Sequence, residues 1–226
     1  MWTSFTLRVG SPYARAVADA RPRPYHHGDL RAALVRAGVE LAREGGPQAL
    51  TLREATRRAG VSAGAAYRHF TSHEDLTFAV GGVGLASMAR AIERRQEVVG
   101  TGTDRERAQA MLRAVGLGYI DFALDEPGLF EVAMVGLFTM AHSSIEPGRG
   151  DRGRTPYELL VDAVTALVGL GQVRAEESYT VAITCWSTVH GFSMLATRGP
   201  LRELPREALD EQAAEIVRTL VAGLLG

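Results

Sequence analysis

The chain has 226 residues, 46% of them hydrophobic and 23% charged, with a formal net charge of -1. This composition excludes general disorder, and the single Cys185 excludes an intrachain disulfide and a cysteine-based zinc site. No apolar run approaches the roughly 18 residues of a membrane span, the first residues lack the features of a secretory signal, and the alternation typical of strands is nearly absent. We therefore expect an all-α, cytoplasmic protein with no membrane partner, no metal and no cofactor.

The net charge conceals a division along the chain. Residues 1–80 hold eleven arginines and seven acidic residues, a net charge of +4, which leaves -5 for residues 81–226. A basic front part is typical of a module that binds a polyanion, and the acidic remainder indicates a body with a different task. Residues 1–24 show no sustained periodicity, and we expect a flexible basic arm there.

Helical periodicity begins at Asp29, and Gly45-Gly46-Pro47 ends this first helix. Two short helices follow. Thr51-Leu52-Arg53-Glu54 predicts a capping box at the start of one of them. Gly60 supplies a left-handed residue at its end, and Ser62 caps the next helix, expected over 63–70.

Longer helices fill the rest of the chain. Ser72 caps the first of them, with Glu74 and Asp75 in its first turn. Residues 141–154 are rich in Gly, Ser and charge, and we expect a mobile loop there. About nine helices are expected in total, and the longer ones run roughly through 73–98, 104–125, 128–140, 155–170, 175–198 and 206–224.

The two short helices around residues 59–62 form a helix-turn-helix, whose second helix can lie in the major groove of DNA. Three neighbouring segments add a specific pattern: Thr51-Leu52-Arg53, the run VSAGAAYRHF over 61–70, and Ser72-His73-Glu74-Asp75-Leu76. Together they closely resemble the DNA-binding domain of TetR/AcrR-type transcriptional regulators, densely over 27–87. The resemblance implies a DNA-binding domain over 25–80 and a ligand-binding and dimerisation domain over 81–226.

Phosphate contacts are expected from two pairs of residues. Thr51 and Ser62 stand at helix N-termini, where hydroxyl and backbone N–H groups can bind phosphate oxygens. The resemblance implies that Tyr67 and His69 bind the phosphate backbone beside the groove, the alternative being that both only pack. Leu52, Ala55, Val61 and Phe70 are expected to form the small core beneath.

Base recognition is expected from a second group. The resemblance makes Ala63, Gly64 and Ala65 groove-facing, where they offer close approach and apolar contact to thymine methyl groups. Hydrogen-bonded readout then falls to Arg53 and Arg68, with the N-terminal arm as a minor-groove contributor. The alternative for Arg53 is a solvated helix face.

His73 departs from the family pattern, which usually has lysine at this position. A mostly neutral imidazole binds phosphate less well than an ammonium group at pH 7. The contact is therefore expected to be weak.

The acidic body contains aromatic residues and methionines at helical spacing. They predict either an ordinary core or a ligand pocket, for which adaptable methionines and a polar anchor at His190 are suited. Trp186…His190-Gly191 also resembles the Trp…His-Gly motif of one C-terminal subfamily. The candidate pocket residues are Met111, Val115, Tyr119, Phe122, Phe130, Met134, Phe138, Trp186, His190 and Met194.

The last helix has an apolar stripe that, with the 175–198 helix, makes half of an intermolecular four-helix bundle, as the resemblance implies. A two-fold dimer demands a palindromic operator. The expected interface residues are Leu209, Ala213, Ile216, Leu220 and Leu224.

The resemblance implies a homodimeric repressor that binds a palindromic operator and is released by a small apolar effector. Gly81, Gly82 and Gly84 in the fourth helix are either a soft joint for this response or sites of close helix packing. A ligand-independent activator or architectural DNA-binding protein is the alternative. An enzyme is not expected, because Cys185 and His190 point about 140° apart on a helix and no catalytic motif is present.

Overall fold

The computed structural model describes residues 27–139 and 148–225, with side chains over 30–135 and from 148 onward. Within these ranges the fold contains nine α-helices, a short 3-10 helix at Ala175–Glu177 and no strand, which confirms the all-α expectation. The predicted arm over 1–24 and residues 141–147 of the predicted loop over 141–154 lie outside the described residues. The helices are α1 (His27–Ala49), α2 (Leu52–Ala59), α3 (Ala63–Ala66), α4 (His73–Glu97), α5 (Asp104–Asp125), α6 (Pro127–Thr139), α7 (Pro156–Gly169), α8 (Ser178–Thr197) and α9 (Arg206–Leu225).

Two helix ends differ from the sequence-based expectation. The regular part of α1 stops at Gly45 and Gly46, where Gly46 has a φ of 65°, but a further turn through Pro47 extends the helical segment to Ala49. Helix α3 ends at Ala66 rather than at residue 70, and residues 67–69 continue as turns in which Phe70 N–H still donates to Ala66 O (3.0 Å). The predicted position of the helix-turn-helix is unchanged.

Helix α4 is the centre of the packing, with α1, α5, α6 and α7 against it. Its contacts with α5 and α6 are close because glycines stand at the crossings. A Cβ on Gly118 would lie 2.5 Å from Ile92 Cα, and a Cβ on Gly84 would lie 2.9 Å from Ala133 Cβ. Close packing therefore accounts for Gly84, one of the three glycines considered as a soft joint.

Helix α4 is also long and apolar enough to cross a membrane by length and composition alone, although the sequence suggested no such run. It alone meets both criteria in the part of the chain that the structure describes. Inside the protein, 61% of this apolar window is buried, as in the central helix of an ordinary core. The apolarity of α4 thus follows from its central place in the fold.

Contacts between α1 and the start of α6 join the front of the chain to the body. Arg43 donates to both oxygens of Glu126, at 2.8–3.1 Å. Gly128 packs against Ala42, and Arg198, directly after α8, forms an ion pair with Glu131 of α6. The helix-turn-helix is thereby held to the body by packing and charge as well as by the continuous helix α4.

Candidate nucleic-acid interface and ligand cavity

Local hydrogen bonds set the two short helices. The Thr51 hydroxyl accepts from Glu54 N–H (3.2 Å), and the Ser62 hydroxyl accepts from Ala65 N–H (3.2 Å). Gly60 has a φ of 67°, as predicted for a left-handed helix end. The reciprocal half of the expected capping box is absent among the described contacts, because the Glu54 carboxylate pairs instead with Arg57 at 2.5–2.9 Å.

A small core fixes the angle between these helices. Phe70, Leu52 and Ala55 are buried, and Val61 is partly buried against them, as expected. The Arg31 guanidinium lies over the Phe70 ring, 5.1 Å from its centroid, which adds a cation–π contact from α1. The helix-turn-helix therefore presents its outer residues from a rigid base.

Most residues expected to contact DNA lie on the outer surface of this unit. Tyr67 is 59% exposed, whereas Ala65 and His69 are half-buried. The Arg68 side chain folds back toward the preceding helix α3, where its Nε donates to Gly64 O (3.2 Å). The exposed members of the set are Thr51, Arg53, Ser62, Ala63, Gly64, Tyr67, Arg68 and His73.

The start of α4 carries the last of these residues. Ser72 and Asp75 form a capping box, and the Asp75 carboxylate also accepts from the Thr71 backbone N–H (2.9 Å) and hydroxyl. These donors, chiefly the Thr71 hydroxyl, hold the pKa of Asp75 below its ordinary value. His73 is exposed in the first turn of this well-capped helix.

The body encloses a cavity of about 360 Å³ between α4, α5, α7, α8 and α9, with Met134 of α6 at its edge. Four candidate pocket residues line it: Val115, Tyr119, Met134 and Trp186. Sequence reasoning missed the other lining residues. These are Leu85, Met88, Ile92, Leu112, Gly116, Thr155, Pro156, Tyr157, Leu160, Cys185, Val189, Val217, Leu220 and Val221.

Apart from His190, four candidate residues with described side chains do not line the cavity. Phe122 and Phe130 are buried behind its wall, where the Phe130 ring packs edge-on against Tyr119 at 5.7 Å. Met111 is half-buried elsewhere on α5, and Met194 is 38% exposed. A spacing of four residues rotates a helix face by about 40°, so residue 194 has turned about 80° away from Trp186. The side chain of Phe138 lies outside the described residues.

His190 does not line the cavity either, but it contacts Tyr119, which does. Its Nδ1 lies 2.9 Å from the Tyr119 hydroxyl, which also donates to the sulfur of Met134 (3.4 Å). Burial raises the pKa of Tyr119 above its ordinary value, and the nearby Trp186 side chain offsets part of that rise. Burial lowers the pKa of His190. Both groups are therefore uncharged at neutral pH.

The N-terminus of α7 forms one side of the cavity mouth. Thr155 and Glu158 make a capping box, and Tyr157, which is 41% exposed, packs its ring 5.9 Å from that of Trp186. The preceding residues are tied to α4 by the buried carboxylate of Glu93. It accepts from the backbone N–H groups of residues 151 (2.8 Å) and 152 (3.0 Å). The mouth is thereby attached to the central helix.

Two family models match the chain. The model described as "Bacterial regulatory proteins, tetR family" covers residues 34–80, and the one described as "Tetracyclin repressor-like, C-terminal domain" covers residues 112–220. The first contains the helix-turn-helix, and the second contains most of the cavity. The chain belongs to the TetR family of transcriptional regulators. It is therefore a DNA-binding transcriptional regulator rather than an enzyme.

Several solved structures have a fold similar to that of this chain. A protein with unknown function from Rhodococcus sp. RHA1 is 28% identical, with a TM-score of 0.67, over 90% of this chain and 100% of that one. The TetR regulator SCO7222 from Streptomyces coelicolor is 20% identical, with a TM-score of 0.59, over 86% and 97%. The TetR family regulator PfmR from Thermus thermophilus is 19% identical, with a TM-score of 0.51, over 85% and 96%. No curated protein matches the chain significantly.

The expected dimer residues of this TetR protein lie at different depths. Leu209 and Ala213 are buried within the chain's own core, because the α9 stripe turns toward α5, so the expectation that both face a partner is wrong for the folded monomer. Ile216, Leu220 and Leu224 are partly buried. Exposed apolar residues on neighbouring α8 are Tyr179 (70%), Met194 (38%) and Leu195 (47%).

Metal ligands do not cluster in the described part of this TetR protein. Over residues 27–139 and 148–225, no group of three His, Cys, Asp or Glu side chains could hold an ion. Cys185 is buried beside the cavity, and burial raises the pKa of its thiol to about 11. The candidate sites are therefore a DNA-facing surface and an apolar cavity.

Proposed function

We propose that this protein is a repressor that binds an inverted-repeat operator as a homodimer and leaves it when a small apolar ligand fills the cavity. One observation carries the proposal: α4 belongs to both sites. It begins at the Ser72 cap, directly after the helix-turn-helix, and Leu85, Met88 and Ile92 farther along line the cavity. A ligand that moves this wall acts on the helix that supports the DNA-facing surface.

The assignment of DNA contacts is supported by exposure and chemistry. Thr51 and Ser62 use their hydroxyl oxygens as cap acceptors, so each O–H remains a donor for a phosphate oxygen. Arg53 is exposed and forms no hydrogen bond or ion pair among the described residues, which favours a role in base readout. Residues 25–80 then act as the DNA-binding domain and residues 81–226 as the effector-binding and dimerisation domain.

The homodimer is supported by the apolar residues left on the outside of α8 and α9. Tyr179 and Met194 stand about 60° apart around α8 and are both exposed, and Ile216 and Leu224 on α9 are only partly buried, so apolar side chains are left for a partner to cover. Two-fold pairing there places the two recognition helices about 34 Å apart, one turn of DNA. Such a dimer reads a palindrome in the cytoplasm, where bacterial DNA is.

Ligand release requires that the ligand bind the DNA-free arrangement better than the DNA-bound one. Coupling of about 1–3 kcal/mol is usual for such linked sites. The contacts between α1 and α6, at Arg43–Glu126 and Gly128–Ala42, form a second route besides α4. A shift of α6 at the cavity edge is then transmitted to the base of the helix-turn-helix.

Selection of bound duplexes from a random pool by the purified protein tests the DNA part. We expect one inverted repeat whose affinity falls steeply with salt. Neutral hydrophobic compounds that raise the melting temperature are then added to the complex, and at least one should release the operator. Lack of preference for any inverted repeat contradicts the repressor. Ligands that bind without changing operator affinity leave a ligand-independent activator or architectural protein.

A further inference from the structure

We propose that the cavity takes a neutral, largely apolar ligand with one uncharged hydrogen-bonding group, such as a hydroxyl, which bonds to the Tyr119 hydroxyl. The proposal names the chemical class of ligand for the effector site and rests on the proposed function in that respect. It depends on the charge of the cavity wall, on the polar atoms that reach it and on the pairing of Tyr119 with His190.

The cavity wall carries no formal charge where it can be described. None of the lining side chains identified in residues 27–139 and 148–225 is Asp, Glu, Lys or Arg. A carboxylate or ammonium group of a ligand would leave water without meeting an opposite charge, and burial of an unpaired ion is costly. This wall selects against ionised ligands.

Among the polar lining groups, the Tyr119 hydroxyl is the buried one that a ligand can use, because the indole N–H of Trp186, which also lines the cavity, is engaged with that hydroxyl. Tyr119 is 6% exposed, so its hydroxyl is shielded from solvent. The Thr155 oxygen already accepts Glu158 N–H as the cap of α7. Tyr157 is partly exposed at the mouth, and the Cys185 thiol is a weak donor. A ligand inside the cavity therefore gains most by bonding to Tyr119.

His190 sets which way that bond runs. If neutral Nδ1 accepts from the phenol, the Tyr119 oxygen is left to accept from the ligand. If Nδ1–H donates, the Tyr119 O–H can turn from the weakly accepting sulfur of Met134 and donate to the ligand. A ligand hydroxyl fits both cases because it is donor and acceptor. His190 is thus a positioning residue, and Tyr119 is the residue that contacts the ligand.

Three probes of one skeleton test the ligand class: biphenyl, biphenyl-4-methanol and biphenyl-4-carboxylate. Binding to the full-length protein is measured at neutral pH by the rise in melting temperature and by fluorescence. The chain has two tryptophans, so Trp2→Phe leaves only Trp186, which lines the cavity. We expect the alcohol to bind about 100-fold more tightly than the carboxylate, since burial of an unpaired ion is penalised.

A pair of variants tests the anchor. Tyr119→Phe should weaken biphenyl-4-methanol about 10-fold and leave biphenyl unchanged, because only one hydrogen bond is lost. Tyr157→Phe is the matched control, since it removes the hydroxyl of the other lining tyrosine. It should leave the affinity of both probes unchanged.

Three results overturn the proposal: equal affinity for the carboxylate, an equal loss of biphenyl and alcohol binding in Tyr119→Phe, or no binding of the alcohol up to its solubility. None of these measurements uses DNA. A probe that binds as expected but leaves operator affinity unchanged therefore contradicts the proposed ligand release and not the ligand class.

Discussion

Gly128 of α6 packs so closely against Ala42 of α1 that a Cβ at position 128 would lie 2.0 Å from the Ala42 carbonyl oxygen. Backbone atoms occupy the space that a side chain would need, so only glycine fits without movement of a helix. Because α1 supports the helix-turn-helix and α6 reaches the cavity edge, this contact sets how the DNA-facing part meets the body.

Gly128→Ala should therefore destabilise the fold. The added methyl must push α1 and α6 apart or displace the turn before α6, and overpacking of this kind costs about 1–3 kcal/mol. Urea unfolding measures the change. The control is Gly169→Ala, where a Cβ meets no atom within 4 Å. An equal free energy of unfolding for the two variants would contradict the close contact.

Arg53→Ala and Tyr67→Phe should weaken DNA binding in different ways. A base-reading arginine contributes about 1–3 kcal/mol of discrimination, so Arg53→Ala should reduce the ratio of cognate to scrambled affinity. Tyr67→Phe should weaken both duplexes about equally, because a phosphate contact carries no sequence information. The measurement is the affinity of each variant for the cognate and the scrambled duplex, both titrated at the same salt concentration. A wild-type ratio in Arg53→Ala would mean that this arginine is only a solvated surface residue.

Glu93→Gln should destabilise the segment before α7. Glu93 is 3% exposed, and its two oxygens accept from the backbone N–H groups of residues 151 and 152. The amide of glutamine turns one acceptor into a donor that faces a donor, at a cost of about 1–3 kcal/mol. Denaturant unfolding at neutral pH measures the loss. Glu97→Gln is the control, because Glu97 is exposed. If it lowered the free energy of unfolding as much as Glu93→Gln does, the loss of a negative charge alone would explain the effect.

His190 should make the stability of the protein depend on pH near neutrality. Burial lowers its pKa below the ordinary value of 6.5, so on acidification the unfolded chain takes up this proton before the folded one. Above about pH 6.5 this contribution to the free energy of unfolding should be constant. It should fall as the pH drops from about 6.5 to the pKa of His190 in the folded protein. Melting curves between about pH 8 and pH 5 follow the change.

His190→Asn isolates this contribution, because it keeps a hydrogen-bonding group near the Tyr119 hydroxyl and removes the titration. The variant should lose less stability than the wild type over the same interval, while all other titrating groups remain common to both. Parallel curves would rule out a role for His190 in the acid response.

Local hydrogen bonds explain why the helix-turn-helix could be predicted. The caps at Thr51, Ser62 and Ser72 bond within three residues, and Gly60 terminates α2 through its own backbone. The reciprocal half of the capping box at Glu54 did not form because Arg57, also three residues away, takes the carboxylate. Helix ends can therefore be predicted from the sequence where the donor and the acceptor of the cap are close in sequence and no other side chain competes for either of them.

The cavity could be predicted only in part, because its walls depend on tertiary packing. Periodicity identified the apolar helix faces that hold Val115, Tyr119 and Trp186. The same periodicity occurs whether such a face lines a cavity or packs in a filled core, so it does not distinguish the two. The contributions of α4 and α9 were missed for this reason. The bond between Tyr119 and His190 joins residues 71 positions apart. Each residue was a candidate, but their spacing in sequence does not predict their contact.

The position of the chain's only cysteine has a practical consequence. Cys185 lines the cavity, so a thiol-reactive reagent with a short apolar tail would tether that tail inside it. Since burial raises the thiol pKa to about 11, the reaction should be slow at neutral pH and faster in alkali. Tails of graded length would then yield covalently loaded regulators, in which operator affinity can be followed against filled volume before the natural effector is identified.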